Sequence, residues 1–407
     1  MIRALCSLFL LIALAVSTAT AMAAPVADEQ LQQVILLSRH NLRAPMVAFG
    51  ALAKATPETW QRWDVAPGEL TTKGGVLEVY MGRYVGQWLR QAQLLPASGC
   101  PQPVDFHAHA NSLQRTQATA QFFVAGAFPG CPAAVEQRTP LGTMDPLFDP
   151  VIHNDDPAFR ARALAAMQNA LAAADLAPAL SVVEEITRYP QSAACAGRSD
   201  CHLVPGDTTF NAEPGKEPRA SGSLALASGL VDALLMEHYQ GSGVPREGWG
   251  RLNTEGQWLA LAQIRNRYQN ILFGTPAVAR DVAAPLLARV DASFGDPASP
   301  KVILLVGHDS NIGSVLAAIG IGDYSLPGQF EKTPIGGLLQ FERWRDRQSG
   351  GERFRLAYVY PTTAQLRDAL PLTEARPPGR VALPLPGCDR QGCSRAQFQQ
   401  LLQRARR

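Results

Sequence analysis

The run Arg39-His40-Asn41-Leu42-Arg43-Ala44-Pro45 sets an imidazole between two guanidinium groups, one residue before it and three after. Arginine suits a phosphoryl group because its planar fork stays charged and binds two oxygens at once. A neutral imidazole is a competent nucleophile, and a covalent intermediate divides one difficult displacement into two easier ones. The same residues also fit a basic surface turn with a structural histidine, so a second cluster is needed to choose. Gly307-His308-Asp309-Ser310-Asn311 supplies it. Together their two histidines and carboxylate, with the arginines, give a nucleophile, donors for a phosphate and a general acid for a departing alkoxide. The cations suit phosphoryl transfer, whose transition state spreads charge over the equatorial oxygens that fixed cations stabilise.

Both clusters follow the same kind of element. Val34-Ile35-Leu36-Leu37 and Val302-Ile303-Leu304-Leu305-Val306 are short apolar runs containing β-branched residues, the pattern of sheet strands covered on both faces. Ligands of open α/β sheets bind outside the carboxyl ends of strands, so two strand ends carrying His, Arg and Asp predict one shared site. The expected class is α/β: a mostly parallel central sheet flanked by helices, with a mostly helical insertion. That insertion spans 150–270, leaving 24–149 and 271–407 as the core. Within it, Ala- and Leu-rich helical spacing runs from Pro157 to about Arg188, with Pro178 splitting it and Pro190 stopping it. Further helices are expected from Ser223 to about Tyr239 and from about Glu255 to Leu272.

Composition sets the outer bounds. The chain has 407 residues, 46% hydrophobic and 18% charged, enough apolar content to bury a large core. Lys and Arg total 37 against 35 Asp and Glu, which argues against an electrostatic nucleic-acid binder. Residues 1–23 read as a removed secretory peptide, with Arg3, an apolar run and the small-x-small signal Ala21-Met22-Ala23. An exported protein without a membrane anchor after cleavage is expected. Cys100, Cys131, Cys195, Cys201, Cys388 and Cys393 then form an even set suited to an oxidising compartment. Pairing of sequence neighbours, 100 with 131, 195 with 201 and 388 with 393, is the simplest connectivity. His107 and His109 could share a strand face, but only Asp105 lies nearby to complete a metal set, and no metal or cofactor is expected.

Arg39-His40-x-x-Arg43-x-Pro45 with a distant His308-Asp309 resembles the histidine acid phosphatase family, a branch of the phosphoglycerate-mutase-like fold. Similar segments are Leu70-Thr71-Thr72-Lys73-Gly74-Gly75, Ala110-Asn111-Ser112-Leu113-Gln114-Arg115-Thr116, Phe128-Pro129-Gly130-Cys131 and Thr333-Pro334-Ile335-Gly336-Gly337. The resemblance implies that His40 becomes phosphohistidine, that Arg39, Arg43, Arg115 and His308 hold the phosphate, and that Asp309 donates the proton. Only the resemblance selects Arg115. It also implies an exported, metal-independent phosphomonoesterase for small-molecule phosphate esters, and it is compatible with a homodimer. Asn41 stands where the family form RHGxRxP has glycine, which turns the expectation from phytase-like breadth toward sugar phosphates, glucose 1-phosphate first. A broad acid phosphatase or phytase is the alternative, and a non-catalytic phosphosugar-binding protein is the alternative of another class. The arginines should disfavour both protonated His40 (reference pKa about 6.5) and neutral Asp309 (about 3.9), while a phosphate dianion pushes Asp309 the other way. An acidic optimum is expected.

Overall fold

Residues 34–37 alternate between two cores. Val34 and Leu36 join one apolar cluster with Met81, Val85 and Phe123, and Ile35 and Leu37 join another with Leu286, Val290 and Ile312. A strand's side chains point alternately to opposite faces, so a run apolar at every position is what a sheet with helices on both sides requires. The computed structural model describes residues 29–46, 50–241 and 247–407. The secretory peptide expected at 1–23 lies outside the described residues.

The strands are β1 (Glu29–Arg39), β2 (Phe106–Ala110), β3 (Val135–Gln137), β4 (Thr209–Asn211), β5 (Arg219–Ser221), β6 (Val302–Gly307), β7 (Leu338–Asp346), β8 (Glu352–Tyr360) and β9 (Gly379–Ala382). Seven of them form one sheet in the order β3-β2-β6-β1-β7-β8-β9, and β4 and β5 pair separately. The half from β3 to β1 is parallel, as expected. From β1 through β7 and β8 to β9 the pairs are antiparallel, so the sheet as a whole is mixed. The five residues between β7 and β8 allow a hairpin but not a crossover, which forces that pair to run antiparallel.

Helices Thr72–Gln91 and Gln114–Ala127 cover one face of the sheet, and Pro276–Gly295, Asp309–Ala318 and Arg395–Ala405 cover the other. A third cluster gathers Pro157–Ala172, Ala177–Thr187, Ser223–Gln240 and Glu255–Phe273 around Met167, Val183, Leu234 and Leu261. Pro178 does not break a helix from within. The chain has already left the helix at Ala173, and Pro178 sits in the first turn of the next one, where its missing N–H costs nothing. Disulfides join Cys100 to Cys131, Cys195 to Cys201 and Cys388 to Cys393, the neighbour pairing. Gly74 is a close-packing point rather than a turn: a Cβ there would stand 2.2 Å from the Leu42 carbonyl oxygen.

Candidate active site

Strand register brings the two motifs together. In the parallel pair of β1 and β6, Arg39 lies opposite Gly307, so His40 and His308 leave their strands at the same level. The His40 N–H donates to the Gly307 carbonyl at 3.0 Å, and the two imidazoles meet edge to face with centroids 5.6 Å apart. Asp309 opens the helix Asp309–Ala318, where the helix dipole favours an anion. Asn311 secures the corner, accepting from the His308 N–H at 2.8 Å and donating to the Phe148 carbonyl at 2.7 Å.

The tautomer of His40 follows from its partner. Its Nδ1 lies 2.8 Å from the Asn41 carbonyl oxygen, which can only accept. Nδ1 therefore carries the proton, and Nε2 keeps its lone pair. Burial, then the charges of Arg115 and Arg39, hold this imidazole well below the ordinary histidine range. His308 is lowered to about 3 by burial and by Arg115. Asn111 orients that ring: its amide nitrogen donates to Asp149 Oδ1 at 2.9 Å, leaving Oδ1 to accept from His308 Nε2 at 3.3 Å.

Four guanidinium groups converge on these rings, each restrained differently. Arg39 is fully buried, bonded to Glu331 Oε1 at 3.0 Å and to the Thr333 carbonyl, with Asp309 Oδ2 at 3.5 Å. Arg43 Nη2 reaches both oxygens of Asp232 at 2.9 Å. Arg265 Nη2 donates to Asp309 Oδ2 at 2.6 Å. Arg115 has no ion-pair partner among the described residues; it donates to the Gly68 carbonyl at 3.4 Å, and its buried Nε is unbonded. Burial and the neighbouring Arg43 lower it to about 10. It is the cation with most to gain from an incoming phosphate.

Asp309 is a carboxylate in this arrangement. Burial pushes its pKa up, but Arg39, Arg265 and His308 outweigh burial and hold it well below the usual range. Gln269 adds a bond to Oδ2 at 3.0 Å, and the Ser310 N–H one to Oδ1 at 2.9 Å.

All six residues expected at the site, Arg39, His40, Arg43, Arg115, His308 and Asp309, interact with one another electrostatically. Sequence reasoning missed Arg265, Gln269, Asp232 and Glu331. Two signals were available. Asp232 is a lone charge inside Leu230-Val231-Asp232-Ala233-Leu234-Leu235, and a charge buried in an apolar helix needs a partner. Arg265 and Gln269 are one helical turn apart and face the same target. His107 and His109 do share a face of β2, but each meets its own carboxylate, Glu136 at 3.3 Å and Asp145 at 3.0 Å. Among the described residues no group of three or more His, Cys, Asp or Glu is arranged to hold a metal.

The family model described as histidine phosphatase superfamily (branch 2) matches residues 30–187. A glucose-1-phosphatase of Salmonella typhimurium is 47% identical over 362 residues, covering 88% of each chain. A phytase of Escherichia coli is 33% identical, covering 98% of this chain and 97% of its own. The solved structure of Hafnia alvei phytase without ligand superposes with a TM-score of 0.85 at 32% identity, covering 94% of this chain and 98% of that one.

Proposed function

The chain belongs to the histidine phosphatase superfamily (branch 2) and is a phosphoric monoester hydrolase, and from that premise we propose how its residues divide the reaction. His40 Nε2 attacks phosphorus; the N–P bond forms as the ester P–O bond breaks, and the leaving alkoxide takes a proton from Asp309. Water then attacks the phosphohistidine and gives its proton to the Asp309 carboxylate; the new P–O bond forms as the N–P bond breaks, Nε2 recovers its lone pair, and phosphate departs. Arg39, Arg43, Arg115 and His308 hold the phosphoryl oxygens. The observation that carries this reading is the bond from His40 Nδ1 to the Asn41 carbonyl, which leaves a lone pair on Nε2 among the arginines.

Asp309 must gain a proton to act as the acid. Its carboxylate is stabilised by Arg39 and Arg265, and a phosphoryl dianion seated beside it competes for those cations and raises its proton affinity. Low pH supplies the proton, so the reading entails an acidic optimum.

The preferred substrate is a hexose 1-phosphate, glucose 1-phosphate first, supported by the name of the Salmonella typhimurium relative at 47% identity. A broader, phytase-like range is the second reading, favoured by the phytase at 33% identity over nearly the whole chain. The segment 150–270 is taken as an insertion that walls the pocket, since Asp232 and Arg265 come from it. Three disulfides fit an exported protein, and the compartment proposed is the periplasm or the extracellular space.

Phosphate release from glucose 1-phosphate, phytate and p-nitrophenyl phosphate, measured at about pH 4–7 with EDTA for the native protein and His40→Ala, tests the reaction, the substrate ranking and the role of His40. Activity highest on glucose 1-phosphate and lost in the variant is expected. Phytate hydrolysed fastest would favour the second reading, and a fully active His40→Ala would remove His40 as the nucleophile.

A further inference from the structure

We propose that Asn41 and Glu78 form a buried pair that holds the 41–42 peptide in the orientation His40 requires, making both of them positioning residues for the nucleophile. The inference rests on the reading of His40 given above.

One peptide plane is held at both ends. Its carbonyl accepts from His40 Nδ1 at 2.8 Å, and its N–H, on Leu42, donates to the side-chain Oδ1 of Asn41 at 2.8 Å. A trans peptide is rigid and points these groups in opposite directions, so turning the plane away from His40 breaks both bonds. The side chain that makes the second bond is itself anchored. Asn41 Nδ2 donates to Glu78 Oε2 at 2.7 Å, and the Asn41 backbone N–H donates to Thr119 Oγ1 at 3.1 Å. Asn41 and Glu78 are 1% and 0% exposed, so water offers neither a substitute partner.

The surroundings are fitted to this side chain. A Cβ on Gly336 would stand 2.4 Å from Asn41 Nδ2, and Gly336 has φ +63°, a conformation glycine tolerates and other residues adopt at a cost. Glu78 Oε1 is buried without a partner, so Asn41 is its one side-chain bond among the described residues. A glycine at position 41 would keep the backbone but orphan that carboxyl. Burial pushes Glu78 up to about 8, against the lowering effect of the Asn41 bond, so it is uncharged through the acid range. The anchor therefore adds no negative charge near His40, where a carboxylate would favour the protonated, non-nucleophilic ring.

Without the pair the carbonyl is free to leave Nδ1, the proton redistributes between the two nitrogens, and the aim of Nε2 loosens. Misplacement of a reacting group by about 1 Å is worth up to about 10²-fold in rate. The experiment compares kcat and KM on p-nitrophenyl phosphate for the native protein, Asn41→Gly, Glu78→Leu, Glu78→Gln and the Asn41→Gly/Glu78→Leu double variant, with His40→Ala as control. In parallel, ¹⁵N spectra of histidine-labelled protein report the His40 tautomer, assigned by difference from His40→Ala.

Asn41→Gly and Glu78→Leu should each lower kcat by about 10- to 100-fold with KM changed less than about threefold. The double variant should be no worse than the worse single one. Glu78→Gln should recover at least half of native kcat, since its amide oxygen accepts the same bond from Asn41. The Nδ1–H signature of His40 should weaken in Asn41→Gly. Should Glu78→Leu not fold, Asn41→Gly and Glu78→Gln decide between them. Native kcat in Asn41→Gly, Glu78→Gln as impaired as Glu78→Leu, or an unchanged tautomer alongside a lowered kcat would each overturn the pairing. Those failures are distinct from failure of the nucleophile itself, which only an active His40→Ala would show.

Discussion

On the sheet side of the site, Arg39, His40 and His308 stand at the ends of β1 and β6, and their spacing follows from the pairing of Arg39 with Gly307. On the helical side, Arg265 and Gln269 come from Glu255–Phe273 and Asp232 from Ser223–Gln240, held by side-chain bonds across a packed cluster. Backbone register cannot slip by a fraction of a residue, because a slip of one turns every side chain to the other face. Side-chain bonds can exchange partners. The sheet side is therefore suited to fixing the nucleophile. The helical side is suited to setting the charge on Asp309 and accommodating a leaving group.

That contrast breaks most visibly at Arg39. Its fork serves Glu331, Thr333 and Asp309 at once, which a lysine ammonium cannot do. Arg39→Lys should lower kcat/KM by about 10²- to 10³-fold and stability by about 3 kcal/mol, read by kinetics and denaturant unfolding. A loss below about fivefold would mean that the sheet side is no stricter than the helical one.

Gly336→Ala comes next, since its Cβ meets Asn41 Nδ2 at 2.4 Å in a left-handed backbone conformation. About 2 kcal/mol of stability should be lost, visible as a shifted urea midpoint with an unchanged slope. An unaltered midpoint would show that the 41–42 corner yields easily.

The sheet-side histidines should also shape the pH dependence of stability. His308 has a folded pKa of about 3, against about 6.5 in an unfolded chain, so across that window the unfolded state binds a proton that the folded state refuses. Stability conferred by the neutral ring is complete above pH 6.5 and declines as pH falls toward 3, by at most about 1.4 kcal/mol per pH unit. Replacing it, as in His308→Gln, should flatten the slope of unfolding free energy between about pH 6 and 4. An unchanged slope would show that other groups govern it.

The smallest effect is expected on the helical side. Arg265→Met removes the 2.6 Å bond that depresses Asp309, so the Asp309 pKa should rise toward its ordinary value. The alkaline limb of kcat/KM should move to higher pH by about one unit, with a five- to tenfold cost at the optimum because Asp309 is held less firmly. A limb displaced to lower pH would contradict the assignment of Asp309 as the acid.

These two sides were not equally legible in the sequence. Val34–Leu37 and Val302–Val306 announce buried strands because both faces are covered, and the polar residues that follow them announce a shared strand end. The countercharges Asp232, Arg265 and Glu331 have no local motif. They become neighbours only through helix packing and through the loop preceding β7. The antiparallel half of the sheet was hidden for a similar reason: β7 closes on Arg343, Trp344, Arg345 and Asp346, none of them buried, and these positions blur the apolar run. Asn41 was visible as a departure from the RHGxRxP form. Its partner Glu78 lies in the middle of the helix Thr72–Gln91, where only packing against the 41–42 corner sets it apart from a surface glutamate.

The most direct test of the account is where the phosphoryl group rests between the two steps. Rapid denaturation of the protein during turnover of ³²P-labelled p-nitrophenyl phosphate, followed by mapping of the acid-labile label, should place phosphate on Nε2 of His40 and nowhere else, with no label in His40→Ala. Phosphate recovered on Nδ1 of His40, on His308 or on a carboxylate would contradict it.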